Sequence, residues 1–228
     1  MFKKTLLALL AFSLLFLVAC APKIQEPNQE EISQNQNQEI TNNESSLTWN
    51  TCGELTDQKG FGPDSYLIRD VKKVGGFHTG TVPLEGFMSV CNGNFVGTQI
   101  TFNFANLTVS DITDQGMNQK LVDHLKSDDF FSTETFPTGV FVSKLLTKNS
   151  DGYNIVGDLT IKGITNEITF PIKVTQEGNE YKVSGSIDID RTLRDIMYSS
   201  TKLVDTLKDK AIEDTIKTSF EIITSPAL

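Results

Sequence analysis

The chain has 228 residues, 38% of them hydrophobic, and a formal net charge of −9 at pH 7. Because nucleic-acid phosphates are bound by basic surfaces, an acidic chain of this kind is not expected to have a nucleic-acid partner. The composition also excludes a collagen-like chain, a wholly disordered chain and a protein with several membrane spans.

Uneven placement of the apolar residues divides the chain into three regions. Residues 1–19 are almost entirely apolar, whereas residues 20–46 are rich in Gln, Asn, Glu and Ser and contain no aromatic residue. Such a polar stretch cannot bury enough apolar area to offset its ordering entropy, so we expect a flexible tether. Residues 47–228 have an ordinary apolar content and are long enough to form one domain with its own core.

The first region has the form of an export signal. Lys3 and Lys4 precede the apolar run Leu6–Ala19, which is shorter than the roughly 20 residues of a spanning helix. The run ends in Leu17-Val18-Ala19-Cys20, which resembles the bacterial lipobox. The resemblance implies cleavage before Cys20 and attachment of acyl chains there, such as palmitate. The alternatives are a plain signal peptide and an uncleaved anchor.

The lipobox resemblance also implies a location. No Asp follows Cys20, which favours the outer membrane, facing the periplasm, in a Gram-negative cell; in other cells the cell surface is expected. Loss of residues 1–19 removes two lysines and no acid, which takes the net charge from −9 to −11. Anionic headgroups would repel such a domain, so membrane attachment must come from the acylated Cys20.

With Cys20 acylated, Cys52 and Cys91 remain. An exported compartment permits a disulfide, and we predict that these two cysteines pair. Two buried free thiols are the alternative, because spacing alone does not establish the required geometry. The chain has two histidines and no Cys-x-x-Cys motif, so we expect neither a metal site nor a cofactor.

The domain is predicted to consist mainly of strands. Apolar residues alternate with polar ones, the period of a half-buried strand, in the segments 99–104, 153–161, 168–174, 181–189 and 216–222. Turn dipeptides separate neighbouring segments, which indicates antiparallel pairing: Asn92-Gly93, Asp151-Gly152, Lys162-Gly163 and Gly178-Asn179.

One or two short helices complete the prediction. Leu121 and Leu125 share a face in a helix over Met117–Lys126, and a second helix is predicted from Leu203 to Glu213. Regularly spaced strands favour a sandwich or a barrel, and three glycines within the strands favour a barrel: Gly80, Gly157 and Gly185.

Five segments, in order, resemble motifs of the YceI-like family of exported lipid-binding proteins. They are Gly75–Val82, Leu121–Phe131, Phe136–Phe141, Gly157–Thr165 and Ile187–Thr192. The resemblance runs from about Tyr66 to Thr224 and does not include residues 47–65. It implies a lipocalin-like, extended antiparallel β-barrel around an elongated apolar cavity. It also implies that this cavity takes an isoprenoid chain, as of a polyprenyl phosphate or a quinone. The sequence leaves open whether the protein forms a homodimer.

The alternation of apolar and polar residues along the predicted strands identifies the side chains that would line such a cavity. Twelve phenylalanines remain after residues 1–19, and Phe offers large apolar area with no polar tip, which suits both a lipid tunnel and a filled core. The lipid-facing candidates are Phe102, Phe104, Phe141, Phe170, Ile172, Ile189 and Phe220. Near the mouth, the candidates for binding a head group are His78, Lys162 and Arg191. For Arg191 the competing interpretation is a structural ion pair with Asp188 or Asp190.

An enzyme is not expected. The sequence has no nucleophile elbow, zinc-protease motif, Walker loop or dinucleotide fingerprint, so no catalytic residue is assigned. The predicted function is a membrane-anchored exported lipoprotein that binds or carries a long-chain isoprenoid lipid. The alternative is a β-rich surface lipoprotein that binds a protein partner and encloses no ligand.

Overall fold

The structure, a computed structural model, describes residues 46–47, 57–73, 76–202 and 211–224. Within these ranges the chain is mainly β, with ten strands. They are β1 (Ser46–Leu47), β2 (Asp57–Gly60), β3 (Tyr66–Lys73), β4 (Gly76–Cys91), β5 (Asn94–Asn103), β6 (Thr138–Lys148), β7 (Tyr153–Ile161), β8 (Ile164–Glu177), β9 (Glu180–Asp190) and β10 (Thr215–Ile223).

Eight of these strands form a closed antiparallel barrel. Their order around the barrel is β3-β4-β5-β6-β7-β8-β9-β10, and β10 pairs with β3 to complete the ring. The short strands lie beside longer ones: β2 pairs with the second half of β4, and β1 pairs with the end of β6. This confirms the predicted barrel, since every neighbouring pair in the ring is antiparallel.

The predicted turns take the geometry that their residues favour. Asn92 and Gly93 both have positive φ, as do Lys162 and Gly163, which is the arrangement of a two-residue hairpin turn. Glycine adopts such a φ without steric cost, which suits position 163, where φ is 72°. β7 has the predicted bounds 153–161, and β9 and β10 each extend the predicted segment by one residue at both ends. β8 and the start of β5 extend it by three to five residues, because cross-strand pairing continues past the segment that alternates most clearly.

One α-helix, α1, spans Gln115–Lys126 in the described chain. It begins two residues before the predicted start, because the Asp114 side chain caps it by accepting a hydrogen bond from the Met117 amide. Most of the second predicted helix, residues 203–210, lies outside the described residues. Its last part is not helical, since Ile212 forms isolated bridges with Lys73 and Ser200. Two short 3₁₀ helices span Phe104–Asn106 and Arg191–Arg194.

The core is the interior of the barrel. Val82, Phe141, Leu146, Ile155 and Leu159 are all at most 1% exposed. Alternation along each strand places them inside, as the period-2 pattern predicts.

Glycines in the barrel wall make room for phenylalanine rings. Gly157 and Gly185 occupy inward positions of β7 and β9. A Cβ added at Gly157 would lie 2.5 Å from the Phe141 ring, and one at Gly185 would lie 2.7 Å from the Phe220 ring. The rings thus fill the space that a side chain would otherwise occupy. Ring packing therefore accounts for glycine at positions 157 and 185, two of the three strand glycines on which the barrel prediction rested.

Cys91 is disulfide-bonded and nearly buried at the end of β4. The predicted pairing with Cys52 stays a prediction, because Cys52 lies outside the described residues. The same is true of the predicted signal peptide (1–19) and the tether with Cys20 (20–46), apart from Ser46, which lies in β1.

The contact between Gly157 and Phe141 yields a stability prediction. The substitution Gly157→Ala should lower the free energy of unfolding by about 1–3 kcal/mol, since the new methyl group overlaps the ring and the Val142 carbonyl. Urea unfolding would measure the change. Gly60→Ala is the matched control, because nothing lies within 4 Å of its added Cβ. It should change stability by less than about 0.5 kcal/mol, and equal losses in the two variants would contradict the packing described.

Candidate functional site

An apolar cavity lies at the end of the barrel that α1 covers. Its volume is about 90 Å³, and its walls are almost wholly apolar. Leu121 and Leu125 of α1 line it together with residues from six strands. The lining comprises Leu67, Arg69, Val71, Lys73, His78, Val82, Phe102, Phe104, Leu121, Leu125, Phe130, Phe131, Leu159, Ile161, Ile189, Arg191, Arg194, Ile196, Ile212, Ile216 and Thr218.

Two smaller cavities continue this space along the barrel interior. The second, of about 10 Å³, shares Phe102 and Leu159 with the first. The third, of about 20 Å³, shares Ile100, Phe170 and Phe220 with the second. A few side chains therefore separate three apolar spaces that follow one another through the barrel.

All seven lipid-facing candidates point into this series of cavities. Phe102, Phe104 and Ile189 line the first, and Phe141, Phe170 and Phe220 line the second. Ile172 lines the third. Contact with a lipid stays a prediction. The rings also pack on one another: the centroids of Phe141 and Phe170 lie 5.3 Å apart, and those of Phe170 and Phe220 lie 6.0 Å apart.

Arg191 lines the first cavity and is 1% exposed. Its guanidinium donates five hydrogen bonds, to the carbonyls of Glu213, Ile196, Tyr198 and Ile212 and to Asp214 Oδ1. These bonds use all five N–H groups of the side chain. The competing structural interpretation is therefore supported, but its expected partners were wrong. The carboxylate is that of Asp214, at 3.4 Å, because the segment before β10 folds over the 3₁₀ turn.

His78 lies at the wall of the first cavity within a chain of polar groups. Its Nδ1 is 2.8 Å from Asp111 Oδ2, and its Nε2 is 2.8 Å from Lys73 Nζ. Burial would raise the pKa of Asp111, but hydrogen bonds from His78 and from the Thr79 amide outweigh burial and lower it. In this arrangement the His78 ring donates to the carboxylate and accepts from Lys73, an exposed residue that is also among those lining the cavity.

Lys162, the third head-group candidate, is not among the residues that line the cavity. It lies in the turn between β7 and β8 and donates to the carbonyls of Asp195 and Asp128. Its ammonium thus ties that turn to two neighbouring loops.

Two arginines that sequence reasoning did not select also line the first cavity. Arg69 is 3% exposed and Arg194 is 2% exposed. Arg69 lies on β3 between Leu67 and Val71, which also face inward. An arginine at an inward position of the alternating pattern is the sequence signal that could have identified it. Arg194 is the last residue of the 3₁₀ turn that follows β9, and no alternation marks it.

Burial lowers the pKa of both arginines. That of Arg69 falls to about 10, and the charge of Asp111 opposes the shift. For Arg194 the charge of Asp190 opposes it. Arg69 thus stays protonated at neutral pH.

Asp190 organises the turn that holds Arg191 and Arg194. Its side chain accepts from the Thr192 amide and hydroxyl and from Lys202, and its carbonyl accepts from Arg194 Nη1. Burial would raise its pKa, but the bonds from Lys202 and Thr192 outweigh burial and hold the pKa at about 2.

The described residues provide neither a metal-binding cluster nor a membrane-spanning helix. No group of three or more His, Cys, Asp or Glu side chains there is arranged to hold a metal ion. No helix within the described ranges has the length and apolarity needed to span a membrane.

Comparison with known proteins gives a family match over most of the barrel. A family model described as a YceI-like domain matches residues 66–223. UPF0312 protein YE1254 of Yersinia enterocolitica is 40% identical over 57 residues. UPF0312 protein YPTB2234 of Yersinia pseudotuberculosis is 39% identical over the same length. Each alignment covers 25% of this chain and 30% of the relative, so the chain spans about a third of these relatives' length.

Two solved structures share the fold. BcnA of Burkholderia cenocepacia superposes with a TM-score of 0.58 at 22% identity, over 72% of this chain and 100% of that one. A polyisoprenoid binding domain from Saccharophagus degradans superposes with a TM-score of 0.54 at 12% identity, over 76% and 100%. At these identities the superpositions show that the barrel architecture is common to the three chains.

The low pKa of Asp190 predicts an acid-dependent loss of stability. A folded-state pKa of about 2, below the ordinary 3.8, means that the carboxylate stabilises the fold fully above about pH 4. This contribution is lost as the pH falls through about 2. Asp190→Asn should therefore be less stable than the wild type at pH 7, and the difference should shrink between pH 4 and pH 2.

Urea unfolding at a series of pH values would measure this difference. Asp151→Asn, at an exposed carboxylate in the turn between β6 and β7, is the control. It should remain within about 0.5 kcal/mol of the wild type throughout. A gap between Asp190→Asn and the wild type that stays constant down to pH 2 would contradict the assignment.

Proposed function

The chain belongs to the YceI-like family, and on that basis we propose that its barrel binds a long-chain isoprenoid lipid, such as a polyprenyl phosphate or a quinone. The observation that carries the proposal is the series of three apolar cavities through the barrel, with the largest at the end covered by α1. A structural neighbour of the same fold, from Saccharophagus degradans, is a polyisoprenoid binding domain, which supports the same ligand class.

The physical basis for binding is burial of an apolar chain. An eight-stranded barrel is just wide enough either to be filled by side chains or to hold one slender ligand. Transfer of apolar surface from water contributes about 25 cal/mol per Å², which is partly offset by the lost freedom of the chain. A branched hydrocarbon suits this cavity, because the cavity walls offer almost no polar atoms.

A long chain needs more length than the first cavity provides. Phe102 and Leu159 form the wall toward the second cavity, and Phe170 and Phe220 form part of the wall toward the third. The rings rest on each other and, for Phe220, on Gly185. Rotation of these side chains would join the spaces into one tunnel, so we propose that the tail extends along the barrel axis past these rings.

We further propose that the domain works as an exported, membrane-anchored lipoprotein. Support comes from the lipobox-like Leu17-Val18-Ala19-Cys20, with acylation at Cys20 and residues 20–46 as the tether. This would hold the barrel close to a bilayer, the source of an isoprenoid lipid. In a Gram-negative cell the proposed location is the periplasmic side of the outer membrane.

The protein-binding alternative has less support, because the barrel contains cavities in line rather than a fully packed interior. A catalytic role is not proposed. His78 contacts Lys73, but in this arrangement the lysine donates a hydrogen bond and is not a free nucleophile.

Filling the first cavity should abolish lipid uptake. Ile189→Trp adds bulk at an inward position of β9 that lines this cavity. We expect at least a tenfold loss of affinity for a polyprenyl ligand, since the ring occupies the volume of the first isoprene units. Displacement of a fluorescent polyprenyl analogue would measure the affinity.

The matched control is Val142→Trp, which adds the same bulk at a 40% exposed position of β6. It should bind as the wild type does. Circular dichroism and thermal unfolding would establish that both variants fold. Unchanged affinity in folded Ile189→Trp would show that the ligand does not occupy this cavity.

Replacement of Cys20 should release the protein from the membrane. In the wild type we expect the mature N-terminus to be Cys20 with acyl chains attached, detected by mass spectrometry of the N-terminal peptide. Cys20→Ala should yield protein without acyl chains that no longer sediments with membranes. Cys52→Ala is the control that should leave the membrane association intact. Recovery of unmodified Cys20 from the wild type would contradict the anchor.

A further inference from the structure

Exposed apolar side chains concentrate at the end of the barrel that α1 covers. The structure describes nine large hydrophobic residues that are exposed to solvent, and five of them lie in segments at this end. We call these five, which are between 37% and 60% exposed, the apolar rim: Phe77, Met117, Ile164, Leu193 and Tyr198. In the described chain, the three hairpin turns at the other end, residues 92–93, 149–152 and 178–179, contain no large hydrophobic residue.

The topology places the whole apolar rim at one end. In the antiparallel ring, β4 and β8 begin at the α1 end, and β9 ends there. Phe77 is the second residue of β4, Ile164 is the first of β8, and Leu193 belongs to the 3₁₀ turn after β9. Met117 lies in α1, and Tyr198 lies in the segment between β9 and β10. Four separate parts of the chain therefore contribute to the rim.

The apolar rim is continuous with the lining of the cavity at this end. Each rim residue adjoins a lining residue in the chain, on the helix face, in the strand register or by ring contact. The pairs are Phe77 with His78, Leu193 with Arg194, Met117 with Leu121, Ile164 with Ile161, and Tyr198 with Phe130. The last two rings have centroids 5.4 Å apart. Apolar surface thus extends from the cavity wall to the solvent-facing end of the barrel.

The N-terminal side of the domain lies at the opposite end of the barrel. Ser46 in β1 pairs with Thr147, next to the last residue of β6, and β6 ends away from α1. Cys20 and Ser46 are 26 positions apart, and a chain of that length reaches at most about 90 Å when fully extended. The longest barrel strand, β4, has 16 residues and is about 53 Å long. The apolar rim can therefore reach the membrane to which Cys20 is proposed to attach.

A lipid bilayer is the partner that fits this surface. The rim offers separate apolar side chains on turns and a helix start, which can insert at the boundary between headgroups and acyl chains. Because the chain is acidic overall, attraction must come from insertion of these side chains rather than from charge. A lipid tail that leaves a bilayer through water exposes its whole apolar surface, whereas passage through a docked rim keeps it covered.

We propose that the α1 end of the barrel docks on the surface of a lipid bilayer through the apolar rim, so that the ligand passes directly between the membrane and the cavity. This inference rests on the proposed lipid-binding function and adds the surface through which it operates. Docking by the rim alone is weak and reversible, as membrane binding by a single acyl chain is. The Cys20→Ala protein is therefore still expected not to sediment with membranes.

Quenching by brominated lipid tests which face touches the membrane. Leu193→Trp and Met117→Trp place an indole on the apolar rim, and Ile68→Trp, at an exposed position on the outer wall of β3, is the matched control. Each full-length protein is mixed with vesicles of phosphatidylcholine, with brominated or unbrominated acyl chains, at millimolar lipid. The wild type gives the baseline, because Trp49 is present in all four proteins.

An indole that enters the bilayer to the depth of interfacial side chains, about 5–10 Å, should lose about half of its fluorescence to the bromine atoms. We expect this loss for Leu193→Trp and Met117→Trp, whereas Ile68→Trp should match the baseline. Circular dichroism would establish that the variants fold. An unquenched rim would overturn the proposal and leave a protein as the partner of this surface. Quenching of Ile68→Trp alone would overturn it by placing the barrel wall on the membrane.

Removal of rim side chains should slow ligand exchange without changing affinity. The double variant Leu193→Asp, Met117→Asp replaces two inserting side chains, and an acidic residue near the start of α1 suits the helix dipole. Transfer of a fluorescent polyprenyl analogue from vesicles to this variant should be about tenfold slower, since burial of both side chains is lost. The dissociation constant measured without vesicles should stay as in the wild type, because neither residue lines the cavity. Ile68→Asp is the control, and a wild-type transfer rate in the folded double variant would contradict docking.

The outcomes keep docking and ligand binding apart. If the rim indoles are quenched but no protein takes up the polyprenyl analogue, docking stands and the proposed function fails. If the analogue binds while the rim indoles stay unquenched, the proposed function stands and docking fails.

Discussion

Closure of the sheet is the constraint on which the rest of the structure depends. The β6–β7 and β3–β10 pairs leave the ring of eight strands without a free edge, so every strand has one face toward a common interior. The radius of that interior is set by the number of strands, and side chains must either fill it or leave a space. Because inward and outward positions alternate along most of each strand, one residue of slip would place apolar side chains outside. The chemistry of the interior is therefore decided by every second residue of each strand.

The interior is filled unevenly, and the unevenness creates a site. In the middle, the Phe141 and Phe220 rings rest against Gly157 and Gly185 and leave only small spaces. Toward α1, the strands instead supply mostly aliphatic residues around a larger cavity. An apolar cavity of this kind suits a hydrocarbon chain.

The sequence predicted the barrel and its inward faces because those features are local. Alternation, turn dipeptides and strand glycines each require only neighbouring residues, and all seven lipid-facing candidates lie at cavity walls. The polar part of the site was predicted poorly because it depends on loops. Arg191 is satisfied by carbonyls of residues 196–213, and Lys162 binds loop carbonyls outside the cavity. Arg194 was missed since its burial follows from how the turn after β9 folds, which no periodicity records.

The central proposal is that the barrel encloses one long-chain isoprenoid lipid. Native mass spectrometry of residues 47–228, produced in bacteria and purified without detergent, tests it most directly. We expect a species heavier than the protein by the mass of a single lipid, released on denaturation and identified by fragmentation as an isoprenoid chain. The bare protein mass, unchanged after incubation with polyprenyl phosphate, would contradict the account.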